Sequence, residues 1–406
     1  MATIHPFRAL RPVPASAAAV SSVPYDVVST EEARELARNN PLSFLRVTRS
    51  EIDLPPDADP YAARVYQRAR ENFQKLRERA ALVMDESPAL YLYRLRMGDH
   101  VQTGIAGCFS VDEYERDLIK KHERTRRDKE DDRTRHIVEV RAQTGVVFLT
   151  YRALDEVDEV VKRATAAEPL YDFTAEDGVQ HTVWRTSQED TKAIVAAAKK
   201  IPALYIADGH HRAASAARAR GEMRGRPAET AAASIFIAVA FPDRDVQILP
   251  YNRTVKDLAG RQATQFLKLV SDKFPVNPGT ATPAGKGEVA MYLGGKWYTI
   301  DLKGAKPADG SRAGSLDVAR LQRSVLEEFL NIGDVRTDKR IDFIGGARGT
   351  NALEKAVDSG KAAVAFSLHP VTVDDLLAIS DAGGIMPPKS TWFEPKLRDG
   401  LLIHVI

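Results

Sequence analysis

Apolar runs bounded by turn residues alternate with stretches of helical period along most of this 406-residue chain. Residues 89–96 and 103–110 read as paired strands, with turn chemistry at Met97-Gly98-Asp99 between them. Residues 145–151 and 231–241 are near-continuous apolar runs, as expected of strands covered on both faces. Residues 61–82 predict a long amphipathic helix. Two more helices, over 154–167 and 188–201, flank a strand over 180–185. Nearer the start, Ser29 or Thr30 caps a short helix that Asn39-Asn40-Pro41 stops. Residues 43–48 follow as a strand. Residues 246–249 are expected to pair with the 231–241 strand.

Composition shifts near residue 255. A helix over 259–274 leads through a Pro/Gly/Ala loop to a hairpin over 289–302, turning at Gly294-Gly295. A helix over 315–330 is capped by Ser315 and stopped by Gly333. Strands over 341–344, 362–368 and 401–406 alternate with helices over 350–357 and 373–378. The pattern predicts an α/β (mixed α+β) fold in three regions, 1–110, 111–255 and 256–406.

One turn concentrates the chemistry. The apolar run Leu204-Tyr205-Ile206-Ala207 ends at Asp208-Gly209-His210-His211-Arg212, and an Ala-rich helical pattern follows. That is a strand, a tight turn and a helix start. A helix N-terminus favours phosphate through its unpaired N–H groups. Gly209 permits close approach of the backbone, Arg212 offers a planar fork of donors, and Asp208 suits a divalent cation or a hydroxyl. An N-cap accounts for Asp208 alone, but not for two His and an Arg in the first turn.

The most charged segment lies upstream. Of the thirty residues 112–141, twenty are charged, ten of each sign. Glu123/Arg127 and Asp131/Arg135 have the spacing of pairs on a helix face, so most of the segment reads as a solvated helix. Near the other end, Gly383-Gly384-Ile385-Met386-Pro387-Pro388-Lys389-Ser390-Thr391 has the outline of a P-loop. Pro388 replaces its second Gly and removes a donor, so a true P-loop is rejected. Adjacent His210 and His211 point different ways in most structures, and one Cys leaves little to complete a zinc shell.

The formal charge of +2 lacks the footprint of a nucleic-acid binder. A single cysteine, Cys108, excludes an intramolecular disulfide framework. No segment is long and apolar enough for a membrane span, and the start lacks the core of a signal peptide. A cytoplasmic protein without nucleic-acid or membrane partners is expected, with a homodimer left open.

The DGHHR turn resembles the signature of the ParB/sulfiredoxin-like superfamily, which includes the free serine kinases. The whole chain resembles the domain-of-unknown-function 1015 family. It does so through PFRALRP (6–12), VPYDVVS (23–29), NNPLSFLRV (39–47), KKHERTRRDKEDDR (120–133), YIADGHHRAASA, LPYNRTV (249–255), RIDFIGG (340–346) and MPPKSTWFEPKLRDGL (386–401). The resemblance implies a ParB/sulfiredoxin-like core within 111–255, with an N-terminal elaboration and a C-terminal α/β region. It implies a phosphotransferase using ATP or ADP with Mg²⁺, acting on a small hydroxylated metabolite, first of all free L-serine. Glu123 would then be the base, with Glu130 and Asp132 as rivals, and Asp208 and His211 would be catalytic. Gly209, His210, His211, Arg212, Arg253 and Lys389 would contact phosphate. Arg253 alternatively pairs with Asp208. Tyr25, Asp26 and Asn39 would meet substrate, and Asp208 would hold the metal. The same resemblance allows a second reading, a ParB-like switch that binds or slowly hydrolyses nucleotide without phosphorylating a metabolite.

Overall fold

The second apolar run becomes the strand Ile235–Pro242, buried at every position after its first. It pairs antiparallel with His100–Ser110 on one side and parallel with Val147–Tyr151 on the other. Strands on both edges and cover on both faces leave no position for a solvated side chain. The computed structural model describes residues 2–79, 81–225, 227–307 and 309–406. It divides into two compact units. The first is Met1–Val246 with Pro395–Ile406, and the second is Gln247–Glu394. Helices and sheets mix in both, so the protein is of the mixed α+β class.

The first unit is built on a nine-stranded mixed sheet. Its order is Ile119–Lys120, Leu204–Asp208, Val147–Tyr151, Ile235–Pro242, His100–Ser110, Tyr91–Met97, Gln180–Arg185 and Tyr171–Thr174, with Ile4–His5 also pairing with His100–Ser110. The sheet therefore draws strands from both sides of residue 110, where a region boundary was expected. Leu92, Ile105, Phe109, Leu149, Ile206 and Ala238 pack in one core with Val157, Val160 and Ile194 of the helices Asp155–Ala164 and Gln188–Ala198. The hairpin expected at Met97-Gly98-Asp99 is present, with Gly98 at φ 59°. The Ala-rich pattern after the DGHHR turn is the helix His210–Glu222, packed against Arg127–Val140.

Local chemistry explains where the structure departs from the pattern. Residues 43–48 form no strand; Leu45–Thr48 is a short helix. Phe44, Leu45, Val47 and Thr48 are all buried, and that i, i+1, i+3, i+4 stripe is helical. The helix before it is Thr30–Ala37, capped by Ser29 in a reciprocal box with Glu32. The long helix is Ala63–Glu78, and Leu82–Met84 leaves it to pair with Leu10–Pro12. The charged helix starts only at Arg127, so Glu123 precedes it and the two do not share a helix face. Asp131 pairs with Arg218 rather than Arg135.

The second unit has a six-stranded sheet in the order Val276–Pro278, Lys296–Asp301, Glu288–Leu293, Val364–Leu368, Tyr251–Val255 and Ile341–Gly345. The hairpin at Gly294-Gly295 is as expected. Ile248–Leu249 does not pair with Ile235–Pro242; it pairs with Trp392–Phe393 in this unit. The helical stretch from Asp317 to Leu330 passes through a π-helical segment, Gln322–Glu327. It ends at Asn331 with φ 54°, two residues before the expected Gly333, because Asn also tolerates the left-handed conformation. Ser315 is no cap; its hydroxyl donates to the Arg312 carbonyl. Among the described residues, no helix is long and apolar enough to cross a membrane.

Candidate functional site

The DGHHR turn stands at the end of the Leu204–Asp208 strand. Gly209 has φ 92° and ψ 29°, a conformation that strains any other residue. It precedes the helix without supplying a side-chain cap, which leaves the first-turn amides of His210, His211 and Arg212 to other partners. Anions suit that position.

Asp208 is already engaged. Its Oδ1 accepts from the Gly209 amide at 2.9 Å, and its Oδ2 accepts from Lys396 Nζ at 2.9 Å. Burial pushes the carboxyl pKa up, but Lys396 and Arg212 outweigh burial and hold it well below the usual carboxylate range. Mg²⁺ was expected here. Both Asp208 oxygens have partners, and an ammonium group occupies the cation's place. This donor set does not fit a resident divalent cation. Lys396 was not singled out in the sequence, because 188 residues separate it from its partner.

Arg212 turns inward. Nη1 donates to the Val146 carbonyl at 2.6 Å, and Nη2 reaches both oxygens of Asp26 at 2.9 and 3.0 Å. Its Nε has no hydrogen-bond partner. Arg212 borders a cavity of ≈ 30 Å³, shared with Tyr25, Arg133, His136, Thr144 and Gly145, that has room for a water. The fork expected on phosphate thus anchors the turn to the rest of the unit. Asp26 serves that anchor. Tyr25 is buried beneath the guanidinium groups of Arg133 and Arg212, 4.3 and 5.9 Å from its ring centroid. Burial, reinforced by Asp26, pushes its hydroxyl pKa up. Asn39 is exposed at the helix end. Its neighbour Asn40 makes the structural bonds, donating to Ala19 and accepting from Leu42.

Replacing Arg212 by Met would remove the donor to the Val146 carbonyl and leave Asp26, which faces solvent, to water. A buried acceptor left unpaired costs about 1–3 kcal/mol, or on the order of several °C in melting temperature. A thermal scan checks this, with Asp26→Asn alone expected to cost less because the exposed partner is screened by solvent.

A second buried acid shares this anchor. Asp399 is 1% exposed, and its Oδ2 has no hydrogen-bond partner. Burial pushes its pKa up to about 7, against the pull of Arg212, with Asp26 adding to the rise. The folded protein therefore keeps a proton that the unfolded chain releases near pH 4. Stability from this group is full below that pH and falls as pH rises to 7, by roughly 4 kcal/mol in all. Asp399→Asn should remove that slope, so the variant gains on the wild type from pH 4 to 7. Equal urea midpoints for the two proteins across that window would refute the assignment.

The third group is His122, Glu123 and His210. Pairing of Ile119–Lys120 alongside Leu204–Tyr205 carries the following residues past the DGHHR turn. Glu123 Oε2 lies 3.9 Å from His210 Nδ1, and the Glu123 side chain is 49% exposed. His210 Nε2 accepts from the His122 amide at 3.4 Å. His211 Nε2 accepts from the Arg126 amide at 3.0 Å. The rivals are committed elsewhere: Glu130 bonds Arg218 and Thr125, and Asp132 bonds Tyr66 and Arg133.

Arg253 and Lys389 belong to the second unit. Arg253 is 1% exposed and donates to the carbonyls of Tyr251, Pro388 and Lys389. Burial lowers its pKa to about 9. It pairs with neither Asp208 nor another carboxylate in these contacts. Lys389, at φ 56°, extends over the Tyr251 ring at 5.4 Å.

Fold and site together define a mixed α+β protein with an anion-suited helix N-terminus, flanked by a Lys–Asp pair and a Glu–His pair. The chain belongs to the family described as protein of unknown function (DUF1015), whose profile matches residues 4–319. No curated protein sequence matches it. Among solved structures it is similar to a conserved hypothetical protein from Pyrococcus furiosus, at 12% identity and TM-score 0.37, covering 74% of this chain and 95% of the other. It is similar to SbnI with C-terminal truncation from Staphylococcus aureus, at 11% and 0.38, covering 74% and 87%. It is also similar to a free serine kinase in complex with AMP, at 11% and 0.37, covering 73% and 91%. At these scores the likeness bears on neither site nor activity.

Proposed function

We propose that the protein is a nucleotide-dependent phosphotransferase acting on the hydroxyl of a small metabolite, with free L-serine the first acceptor and O-phosphoserine its product. One observation carries this reading. Within the first unit an uncapped helix N-terminus, the Asp208–Lys396 ion pair and the half-exposed Glu123 converge on the DGHHR turn. Phosphoryl transfer demands mainly positioning and neutralisation of charge. The resemblance of the turn to that of the free serine kinases supports the same reading.

In this reading the first-turn amides hold phosphate oxygens. Lys396, itself held by Asp208, supplies positive charge. Nε2 of His211 accepts a backbone proton, so a neutral His211 carries its own proton on Nδ1 and offers a donor there. Glu123 takes the proton of the acceptor hydroxyl. The hydroxyl oxygen bonds to the terminal phosphorus as the bond from phosphorus to the bridging oxygen breaks. The electron pair of that bond leaves with the nucleotide. Tyr25, Asp26 and Arg212 fix the turn, and no step is assigned to Arg253 or Lys389.

The test is turnover of L-serine by the purified full chain with ATP and ADP in separate tubes, Mg²⁺ present in both. Accumulating O-phosphoserine supports the proposal. Nucleotide hydrolysis without a phosphorylated alcohol would favour the switch reading, and no reaction with any small alcohol would refute phosphotransfer.

A further inference from the structure

We propose that His210 is a positioning residue that aims the Glu123 carboxylate through a proton held on Nδ1; this rests on the phosphotransfer reading. The two nitrogens of His210 face different neighbours. Nε2 accepts from the His122 amide at 3.4 Å. A neutral imidazole has one donor and one acceptor nitrogen, so the proton sits on Nδ1. Nδ1 faces Glu123 Oε2 at 3.9 Å. That exceeds a hydrogen bond, but catalytic contacts in unliganded sites commonly tighten when substrate binds.

The surroundings keep this ring neutral and fixed. Burial depresses the pKa of His210, and His122, His211 and Lys121 push the same way against Asp208. A neutral donor orients the carboxylate without the full positive charge of an imidazolium, which would weaken it as a base. The buried His122 ring stands edge-on to His210, with centroids 4.3 Å apart. His210 is thereby packed against a second buried ring.

The same three residues have ligand atoms within 4.8 Å of one another, a spacing that also suits a metal ion. Coordination through His210 Nδ1 would need a lone pair where the proton sits, and would turn an Nε2–H against the His122 amide. The hydrogen-bond arrangement therefore favours the dyad.

The test compares His210→Asn with His210→Gln in the full chain. The Asn amide nitrogen stands near Nδ1 and keeps a donor toward Glu123, whereas Gln reaches toward Nε2. His210→Gln should lower kcat about tenfold or more, the scale of one hydrogen bond to a charged group, with the nucleotide KM little changed. His210→Asn should stay within about threefold of wild type by the same measure. Equal loss in both variants, or in neither, would overturn the inference. A second readout needs no turnover. Long-range proton–nitrogen spectra should show His210 as a neutral ring protonated at Nδ1, with that resonance moved in Glu123→Gln. A ring protonated at Nε2, or one that titrates against Zn²⁺ at stoichiometric concentration, contradicts the dyad. Absent turnover in the wild type would sink the phosphotransfer reading while leaving the tautomer to be decided by these spectra.

Discussion

Glu123→Gln should lower phosphoryl transfer by about 10²- to 10⁴-fold while nucleotide binding stays within a factor of about two, the pattern of a lost general base. The amide keeps the size and hydrogen-bonding reach of the carboxylate but cannot take the hydroxyl proton. Glu123 is half exposed, so the substitution leaves no buried charge unpaired and the fold should tolerate it. Steady-state kinetics with L-serine and either nucleotide checks the split. A fall in kcat with KM preserved is expected. A variant as active as wild type would remove Glu123 from the mechanism and return attention to Glu130.

Lys396→Met should produce the second large effect, for a different reason. Its ammonium donates to Asp208 at the start of the DGHHR turn, whereas Arg212 is bonded inward. Removing one preorganised positive group from a transferring phosphoryl costs about 10²- to 10³-fold in kcat. Nucleotide affinity should weaken too, because the charge is felt before the transition state. Asp208 would also lose the ion pair that holds its pKa down, so the variant should lose stability at neutral pH. The double variant Asp208→Asn with Lys396→Met separates the two consequences. It should recover stability, since no carboxylate is left unpaired, without recovering turnover. Recovery of both would make the pair purely structural.

How much of this could be read from the chain alone follows from distance along it. The DGHHR turn was legible because strand, Gly and Ala-rich helix are contiguous, and a left-handed Gly at the junction completes a local pattern. The central apolar strand was legible for the same reason. The approach of Glu123 to the turn was not, since it depends on Ile119–Lys120 pairing in register with Leu204–Tyr205. Lys396 and Asp399 were hidden further, in a segment that rejoins the first unit after the whole second unit has been made. Two backbone bonds between Ser22 and Asp399 fix that return, and backbone bonds have no sequence signature.

Arg212 shows a different limit. Its residue type suits phosphate, and the pattern cannot say which way the fork points. Gly145 helps decide it, because a Cβ there would come within 3.1 Å of the Arg212 side chain. The short helix at 45–48 failed for want of context. Four residues carry too little periodicity to separate a helical stripe from alternation, and packing settled the choice.

The most direct measurement is phosphorus NMR of ADP, and separately ATP, mixed with the full chain and L-serine, run beside an Asp208→Ala protein. Wild-type protein should shift and broaden the terminal phosphorus resonance and then yield an O-phosphoserine signal, and the variant, with Lys396 no longer held in place, should form O-phosphoserine far more slowly. Spectra of free nucleotide in the presence of both proteins would contradict the phosphate site at the DGHHR turn, and with it the account built on that site.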